Sequence, residues 1–134
     1  MIVVVQKRRR ISLRPWLRVA ATLTLLGLLL LLLGPALAIE AQRPGADKVG
    51  HVGAFAIMFG AVAILFDRLP PWGVALLTIA VGAATEVAQG YVGRDPDPLD
   101  MVANIIGIGI GLAGVLTAQA ACRWRSRRDA DAAF

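Results

Sequence analysis

The hydrophobic pattern divides the chain into four long apolar runs separated by short polar segments. The runs cover residues 19–39, 49–66, 72–90 and 99–122. Each is close to the roughly 20 residues that a helix needs to cross a bilayer core of about 30 Å. No run alternates apolar and polar residues with period two, which excludes a membrane β-barrel. The pattern predicts an all-α integral membrane bundle of four transmembrane helices.

The segments between the runs are typical of turns, since they are polar or rich in Pro and Gly. They cover residues 40–48, 67–71 and 91–98. The pattern also predicts three parts of the chain. These are a basic N-terminal segment, a four-helix domain and a basic, polar tail, at residues 1–18, 19–122 and 123–134.

Composition supports lipid as the environment of this chain. Hydrophobic residues make up 57% and charged residues 17% of its 134 residues, whereas soluble domains have about 45–50% and about 25%. A chain this short has too little interior to bury the excess. The single cysteine, Cys122, excludes a disulfide scaffold. We expect Cys122 to be buried at the end of the fourth helix.

The distribution of basic residues predicts the topology. Six Lys or Arg residues precede the first run and four follow the last, out of 14 in the chain. The positive-inside rule places such termini in the cytoplasm, so we expect an N-in, C-in arrangement. Basic flanks also suit anionic lipid headgroups, and membrane lipids are the expected partners. They form no basic face on a folded surface, so no nucleic-acid partner is expected.

The first run allows a second interpretation. Its basic start and the sequence Ala36-Leu37-Ala38 resemble a signal peptide with its cleavage site. The apolar core of a signal peptide is about 7–15 residues long, whereas this run covers residues 19–39. The length favours a retained helix, which would anchor the protein and pack against the bundle without contributing an ionisable group.

With this topology, eight ionisable or amide residues in or beside the last three helices lie towards the outer face. They are Asp47, Lys48 and His51 in the second helix, Glu86 and Gln89 in the third, Arg94 in the following loop, and Asp100 and Asn104 in the fourth. Spacings of three or four residues place the members of each helical pair on one face. A charge at mid-depth costs about 2.5–3.5 kcal/mol on insertion scales. We therefore expect a shared polar pocket that opens outward.

Several of these residues also have an ordinary structural interpretation. Asp47, Lys48 and Arg94 are typical of the membrane interface, and Asp100 is placed as an N-terminal helix cap would be. Glu86 is different, because it lies about four residues inside an apolar run, where a carboxylate is by default a functional residue.

The glycines of the fourth run indicate packing. Gly107, Gly111 and Gly114 share one face with Asn104, and small residues let helices approach closely. Gly109-x-Gly111-x-x-Gly114 matches the dinucleotide fingerprint, but no strand precedes it, so the match has no structural basis.

The sequence predicts no metal and no cofactor. It has one histidine and therefore no His-x-x-x-His pair. A zinc site would have to use His51 together with Glu86 and Asp100, which is not one of the common ligand sets.

The polar residues together resemble the VanZ-like family of small integral membrane proteins. The resemblance covers residues 47–114, and the blocks that carry it are Asp47-Lys48-Val-Gly-His51, Glu86-Val-Ala-Gln89, Gly93-Arg94 and Leu99-Asp100-Met-Val-Ala-Asn104-Ile-Ile-Gly107. The family takes its name from a component associated with teicoplanin resistance. The resemblance implies a bacterial cell envelope and a multi-pass protein of the cytoplasmic membrane. The stretch Asp95-Pro96-Asp97-Pro98 is more acidic and stiffer than the family pattern.

Two functions fit these residues. The first is binding of an envelope lipid headgroup, a lipid-linked envelope precursor or a partner protein through the outward-facing pocket, with a link to glycopeptide resistance. The ligand-binding residues would be Asp47, Lys48, Gln89, Arg94 and Asn104.

The alternative is an intramembrane enzyme that acts on an envelope lipid. His51, Glu86 and Asp100 would be its catalytic acid and base groups, and Lys48 and Arg94 would hold a phosphate or carboxylate. No serine or cysteine lies at the outer face, so the chemistry would be proton transfer or water activation. The sequence does not decide between the two functions, and it leaves a homo-oligomer open.

Overall fold

The computed structural model describes residues 14–34, 45–93 and 97–131, and these ranges contain four helices. The helices are α1 (Arg14–Leu33), α2 (Ala46–Leu65), α3 (Pro71–Tyr91) and α4 (Pro98–Asp131). No strand occurs within these three ranges. All four helices are long and apolar enough to cross a membrane. The all-α class and the number of helices are therefore confirmed.

The outermost helix ends differ from the hydrophobic boundaries. Helix α1 begins at Arg14, five residues before the first apolar run, and α4 continues to Asp131, beyond residue 122. Hydropathy marks where a helix leaves lipid, whereas a helix ends where Gly, Pro or a cap stops it. The chain after residue 122 has no Gly or Pro and is rich in Ala and Arg, which favour helix. The signal-peptide alternative depends on residues 36–38, which lie outside the described residues.

Proline and one acidic side chain fix two of the helix starts. Pro71 occupies the first position of α3, where its missing N–H costs nothing. At the start of α4, Asp97 Oδ1 accepts a hydrogen bond of 2.9 Å from the backbone N–H of Leu99. The cap is thus Asp97, and the suggestion that Asp100 is the cap is wrong. Asp100 is left available for side-chain contacts.

Helices α2 and α4 run parallel and form the central pair of the bundle. Gly107 makes their close approach possible, because a Cβ there would collide with the backbone oxygen of Val52. One turn further, a Cβ on Gly111 would lie 2.8 Å from Phe59 Cβ. A Cβ on Gly114 would meet nothing within 4 Å, so packing explains the first two glycines and not the third.

The apolar core lies mainly between α2, α3 and α4, and Leu32 of α1 also belongs to it. Phe55, Met58 and Phe59 of α2 are fully buried in it, together with Val74 of α3 and Ile108 of α4. Helix α1 packs on α2 and α3, and its described residues make no contact with α4.

The connectivity brings one end of three helices together. Helix α3 runs antiparallel to α2 and α4, so the end of α3 meets the starts of the other two. At the opposite end, Arg18 of α1 bonds Asp67 of the α2–α3 turn at 3.1 Å. The first end carries the candidate site.

Candidate functional site

Seven polar side chains meet at the end where α3 finishes and α2 and α4 begin. We call them the polar cluster: Asp47, Lys48 and His51 of α2, Glu86 of α3, Asp97 before α4, and Asp100 and Asn104 of α4. Helical spacing explains how each helix contributes, since Asp47 and His51 are four residues apart, as are Asp100 and Asn104.

Asn104 holds the buried half of the polar cluster. Its side chain is fully buried, and its amide nitrogen donates to Glu86 Oε1 at 3.2 Å. The amide oxygen is then left to accept from His51 Nδ1, which lies 2.8 Å away. This arrangement places the proton of a neutral His51 ring on Nδ1 and leaves the Nε2 lone pair free.

His51 lies between two carboxylates. Its Nε2 is 3.7 Å from Asp100 Oδ2 and its Nδ1 is 3.9 Å from Glu86 Oε1. The side chain is only 4% exposed, and the ring stacks on Phe55 with the centroids 6.4 Å apart. The ring therefore has a fixed orientation in a dry part of the bundle.

Lys48 holds the more open half of the polar cluster. Its ammonium lies 2.7 Å from Asp97, 3.0 Å from Asp47 and 3.3 Å from Asp100. An ammonium has three protons to donate, so all of its donors are engaged by protein carboxylates. This differs from the expectation that Lys48 binds a phosphate or carboxylate of a ligand, because three acidic neighbours already occupy it.

Asp97 is a site residue that the sequence reasoning missed. It contacts Lys48 through Oδ2 and caps α4 through Oδ1. The Lys48 ammonium, and then the Leu99 N–H, lower the pKa of Asp97 below its ordinary value. An Asp followed by Pro directly before an apolar helix is an N-cap signal, so the sequence did contain the information needed to find it.

Glu86 is the least satisfied member of the polar cluster. Its Oε1 accepts from Asn104, but its buried Oε2 has no hydrogen-bond partner among the described residues. A buried acceptor left without a donor costs about 1–3 kcal/mol. Such an atom calls for a partner from outside the described part of the chain.

A cavity of about 310 Å³ lies beside Glu86, between α3 and α4. It is lined by Ala83, Glu86, Asp97, Pro98 and Met101. Apolar atoms thus make up most of the wall, with two carboxylates at one side. The cavity has space for an apolar group next to a polar one.

Two expected ligand-binding residues are not placed in the polar cluster. The side chain of Gln89 is buried and donates to the backbone oxygen of Leu32 at 2.8 Å. The last carbonyls of a helix lack intrahelical partners, and Gln89 supplies one to α1. Its assignment as a ligand-binding residue is therefore replaced by a structural one. Arg94, the other residue, lies outside the described residues.

Cys122 also differs from expectation, because it is exposed. The reason is that α4 is much longer than its neighbours and extends beyond the helices that could cover it.

The comparisons with known proteins found no match that would indicate a function. The sequence matches no known protein family and no curated protein, and the fold matches no solved structure. The resemblance to the VanZ-like family therefore stays a prediction. What the polar cluster does must be inferred from its donors, its charges and its surroundings.

Proposed function

We propose that this is a multi-pass protein of the bacterial cytoplasmic membrane, with both termini in the cytoplasm and the polar cluster near the outer leaflet. The distribution of charge along the bundle supports this orientation. Arg18, Arg68 and the arginines after residue 122 all lie at the end opposite the polar cluster. Basic residues collected at one end favour that end as the cytoplasmic one.

Cysteine labelling tests the orientation. In a Cys122→Ala background, Val92→Cys in the exposed turn after α3 should react with an impermeant thiol reagent in intact cells. The matched variant Leu69→Cys, in the exposed turn before α3, should react only after the membrane is permeabilised. The reverse pattern would place the polar cluster on the cytoplasmic side.

The proposed function is binding of an envelope lipid headgroup, or of a lipid-linked precursor. The observation that carries it is the cavity between α3 and α4, in which apolar Ala83 and Met101 adjoin the carboxylates of Glu86 and Asp97. A lipid presents this combination at the membrane interface, with a polar headgroup next to acyl chains. Pockets for such ligands are mostly apolar, with a few convergent polar groups.

The contacts indicate which part of a lipid would meet which residue. The carboxylate of Glu86 lines the cavity and can accept from a hydroxyl or amine of the headgroup. Lys48 is held by three carboxylates, so a phosphate would need positive charge from another source.

A pair of substitutions on α3 tests the lipid site. Ala83 and Ala84 are both exposed, but only Ala83 lines the cavity. Ala83→Phe should fill the cavity and lower the lipid retained by the purified full-length protein at least fivefold, as measured by native mass spectrometry. Ala84→Phe should retain the lipid of the unsubstituted protein. Equal retention by the two variants would exclude this cavity as the binding site.

The resemblance to the VanZ-like family supports a role in the response to glycopeptide antibiotics. Deletion of the gene should then increase sensitivity to teicoplanin, and the unsubstituted gene should restore resistance whereas the Ala83→Phe gene should not. If both genes restored resistance, the cavity would not be required for it.

The second candidate function is an intramembrane enzyme that acts on the same lipids. The observation that favours it is the arrangement of His51, whose Nδ1 is held by Asn104 while its Nε2 faces Asp100 at 3.7 Å. A fixed tautomer with a free Nε2 is what a general base needs to activate water. Mass spectrometry of lipids incubated with the protein and with His51→Gln tests it. A product formed by the first and not by the second supports catalysis.

A further inference from the structure

Three side chains in the polar cluster form a mixed nitrogen and oxygen donor set. His51, Glu86 and Asp100 come from three different helices, and one ligand atom of each lies within 4.8 Å of the other two. We propose that they bind one divalent transition-metal ion, and zinc is the ion to test first. The metal site shares Glu86 with the lipid site proposed above and goes beyond it, since it adds His51 and Asp100 as ligands.

The donor types select the class of ion. Imidazole suits zinc and other first-row transition ions, while sites for magnesium and calcium are built from oxygen ligands. Zinc binds histidine nitrogen and carboxylate oxygen at about 2.0–2.2 Å, commonly with three protein ligands and one open position. Tetrahedral ligands at those distances lie about 3.4 Å apart. The 3.7 Å between His51 Nε2 and Asp100 Oδ2 is close to that value.

The surroundings of His51 resemble those of a metal ligand. A histidine that binds a metal usually donates its other ring N–H to an oxygen, which fixes the ring. Here His51 Nδ1 is 2.8 Å from Asn104 Oδ1, and the Nε2 lone pair is left for the ion. Asn104 also bonds Glu86 Oε1, so a single buried amide orients two of the three ligands.

An independent observation comes from Glu86. Its Oε2 is buried and has no hydrogen-bond partner within the described part of the chain. A bound cation would satisfy this atom, for which residues 14–34, 45–93 and 97–131 supply no donor. Oε1 accepts from Asn104, so Oε2 is the Glu86 oxygen without a hydrogen-bond partner among the described residues.

Charge is balanced differently in the two halves of the polar cluster. Asp100 directs Oδ1 to Lys48 and Oδ2 to His51, so that it belongs to both halves. The Lys48 ammonium already occupies the centre of Asp47, Asp97 and Asp100, whose ligand atoms also lie within 4.8 Å of one another. The described residues place two carboxylates and no ammonium beside the His51 ring. A divalent ion would supply the positive charge that this half lacks.

A metal ion here would also affect ligand binding. Since Lys48 is engaged by carboxylates, an ion with an open coordination position would be a source of positive charge for an anionic headgroup. Zinc uptake and lipid retention can be measured separately, so failure of either proposal can be recognised. Lipid retained without zinc leaves the lipid site standing and removes only the metal.

Metal content of the purified full-length protein tests the site. The protein is stripped with a chelator in detergent, dialysed against zinc, manganese or magnesium alone, and analysed by plasma mass spectrometry and thermal unfolding. We expect about one zinc per chain, little magnesium, and a higher unfolding temperature with zinc, because a ligand that binds the folded state stabilises it. Glu86→Gln and His51→Gln should lower zinc affinity at least tenfold.

Asp67→Asn is the matched control, because it removes a carboxylate at the opposite end of the bundle and leaves the three ligands untouched. It should keep zinc affinity within about threefold of the unsubstituted protein. The proposal is overturned if the unsubstituted protein takes up no stoichiometric zinc, or if Glu86→Gln binds as tightly as it does. It is also overturned if Asp47→Asn loses zinc while Glu86→Gln retains it, since the ion would then lie among the aspartates around Lys48.

Discussion

The two ends of the bundle use charged residues in opposite ways. At one end, Arg18 and Asp67 form an ion pair with side chains 53% and 45% exposed. At the other, His51 is 4% exposed and lies between Glu86 and Asp100, whose side chains are 13% and 11% exposed. The residue types are similar, but the side chains at the second end are much less exposed.

The difference shows that burial, not charge, identifies the candidate site. Exposed ion pairs contribute about 0.2–1 kcal/mol, because water screens them and ordering the side chains has an entropic cost. Breaking a buried pair costs about 3–5 kcal/mol, since it leaves a charge without a partner. A protein gains little net stability from such a buried arrangement, so stability alone does not account for the charged groups at the Glu86 end.

The largest loss of stability is expected from a substitution at Gly107, where α2 and α4 approach closely. Gly107→Ala places a Cβ against the backbone oxygen of Val52, which a side-chain movement cannot relieve. We expect a loss of about 3 kcal/mol in the free energy of unfolding, at the upper end of ordinary overpacking. Gly114→Ala, on the same helix with open space around it, should be neutral or slightly stabilising. Detergent-extract unfolding measures both, and equal losses would contradict the parallel packing of α2 and α4.

The second largest loss of stability is expected when the buried amide of Asn104 is removed. Asn104→Ala removes the partner of both His51 and Glu86 and should cost about 2–3 kcal/mol of stability, because two buried groups lose their hydrogen bonds. Gln119→Ala removes an exposed amide of the same helix and should change the free energy of unfolding by less than about 0.5 kcal/mol. A small change in the free energy of unfolding for Asn104→Ala would mean that the polar cluster is more hydrated than its burial indicates.

The third effect is a dependence on pH at the edge of the polar cluster. Lys48 lowers the pKa of Asp97 below its ordinary value of 3.8. A carboxylate with a depressed pKa stabilises the folded state above its unfolded pKa, and this contribution is lost as pH falls through the folded pKa. Unfolding temperature should therefore fall with pH below about 4, and it should fall less steeply in Asp97→Asn. Identical acid-side profiles would show that the contact with Lys48 contributes nothing.

The smallest effect is expected at the opposite end. Asp67→Asn removes the exposed pair with Arg18 and should cost no more than about 0.5 kcal/mol, with the loss disappearing in high salt. Unfolding measured at low and high ionic strength tests this. A loss as large as that of Asn104→Ala would remove the contrast between the two ends.

The hydrophobic pattern was sufficient for the helix number, because each span must be long and apolar to cross a bilayer. It did not fix the outermost helix ends, since the Arg and Ala residues that leave the membrane still favour helix. Helix α4 therefore continues to Asp131, beyond the end of the fourth apolar run.

Helical spacing predicted part of the candidate site. It placed His51, Glu86 and Asp100 at one end of the bundle, and the structure brings their ligand atoms within 4.8 Å. It failed for Gln89, because a shared face does not say which neighbouring helix a long side chain will reach. Lys48 could not be assigned either, since its engagement depends on three carboxylates that meet only in the folded chain.

The substitution Glu86→Gln tests most directly whether the buried end of the bundle is a ligand site. It keeps the shape of the side chain and removes a charge from a place where charge is costly. Lipid retention by native mass spectrometry should be measured beside thermal unfolding of the same full-length preparation. We predict that chelator-stripped Glu86→Gln unfolds at the same temperature as the chelator-stripped unsubstituted protein or a higher one, and retains at least fivefold less lipid. A stable Glu86→Gln protein that retains its lipid in full would contradict a ligand site and leave a four-helix bundle whose polar end serves packing alone.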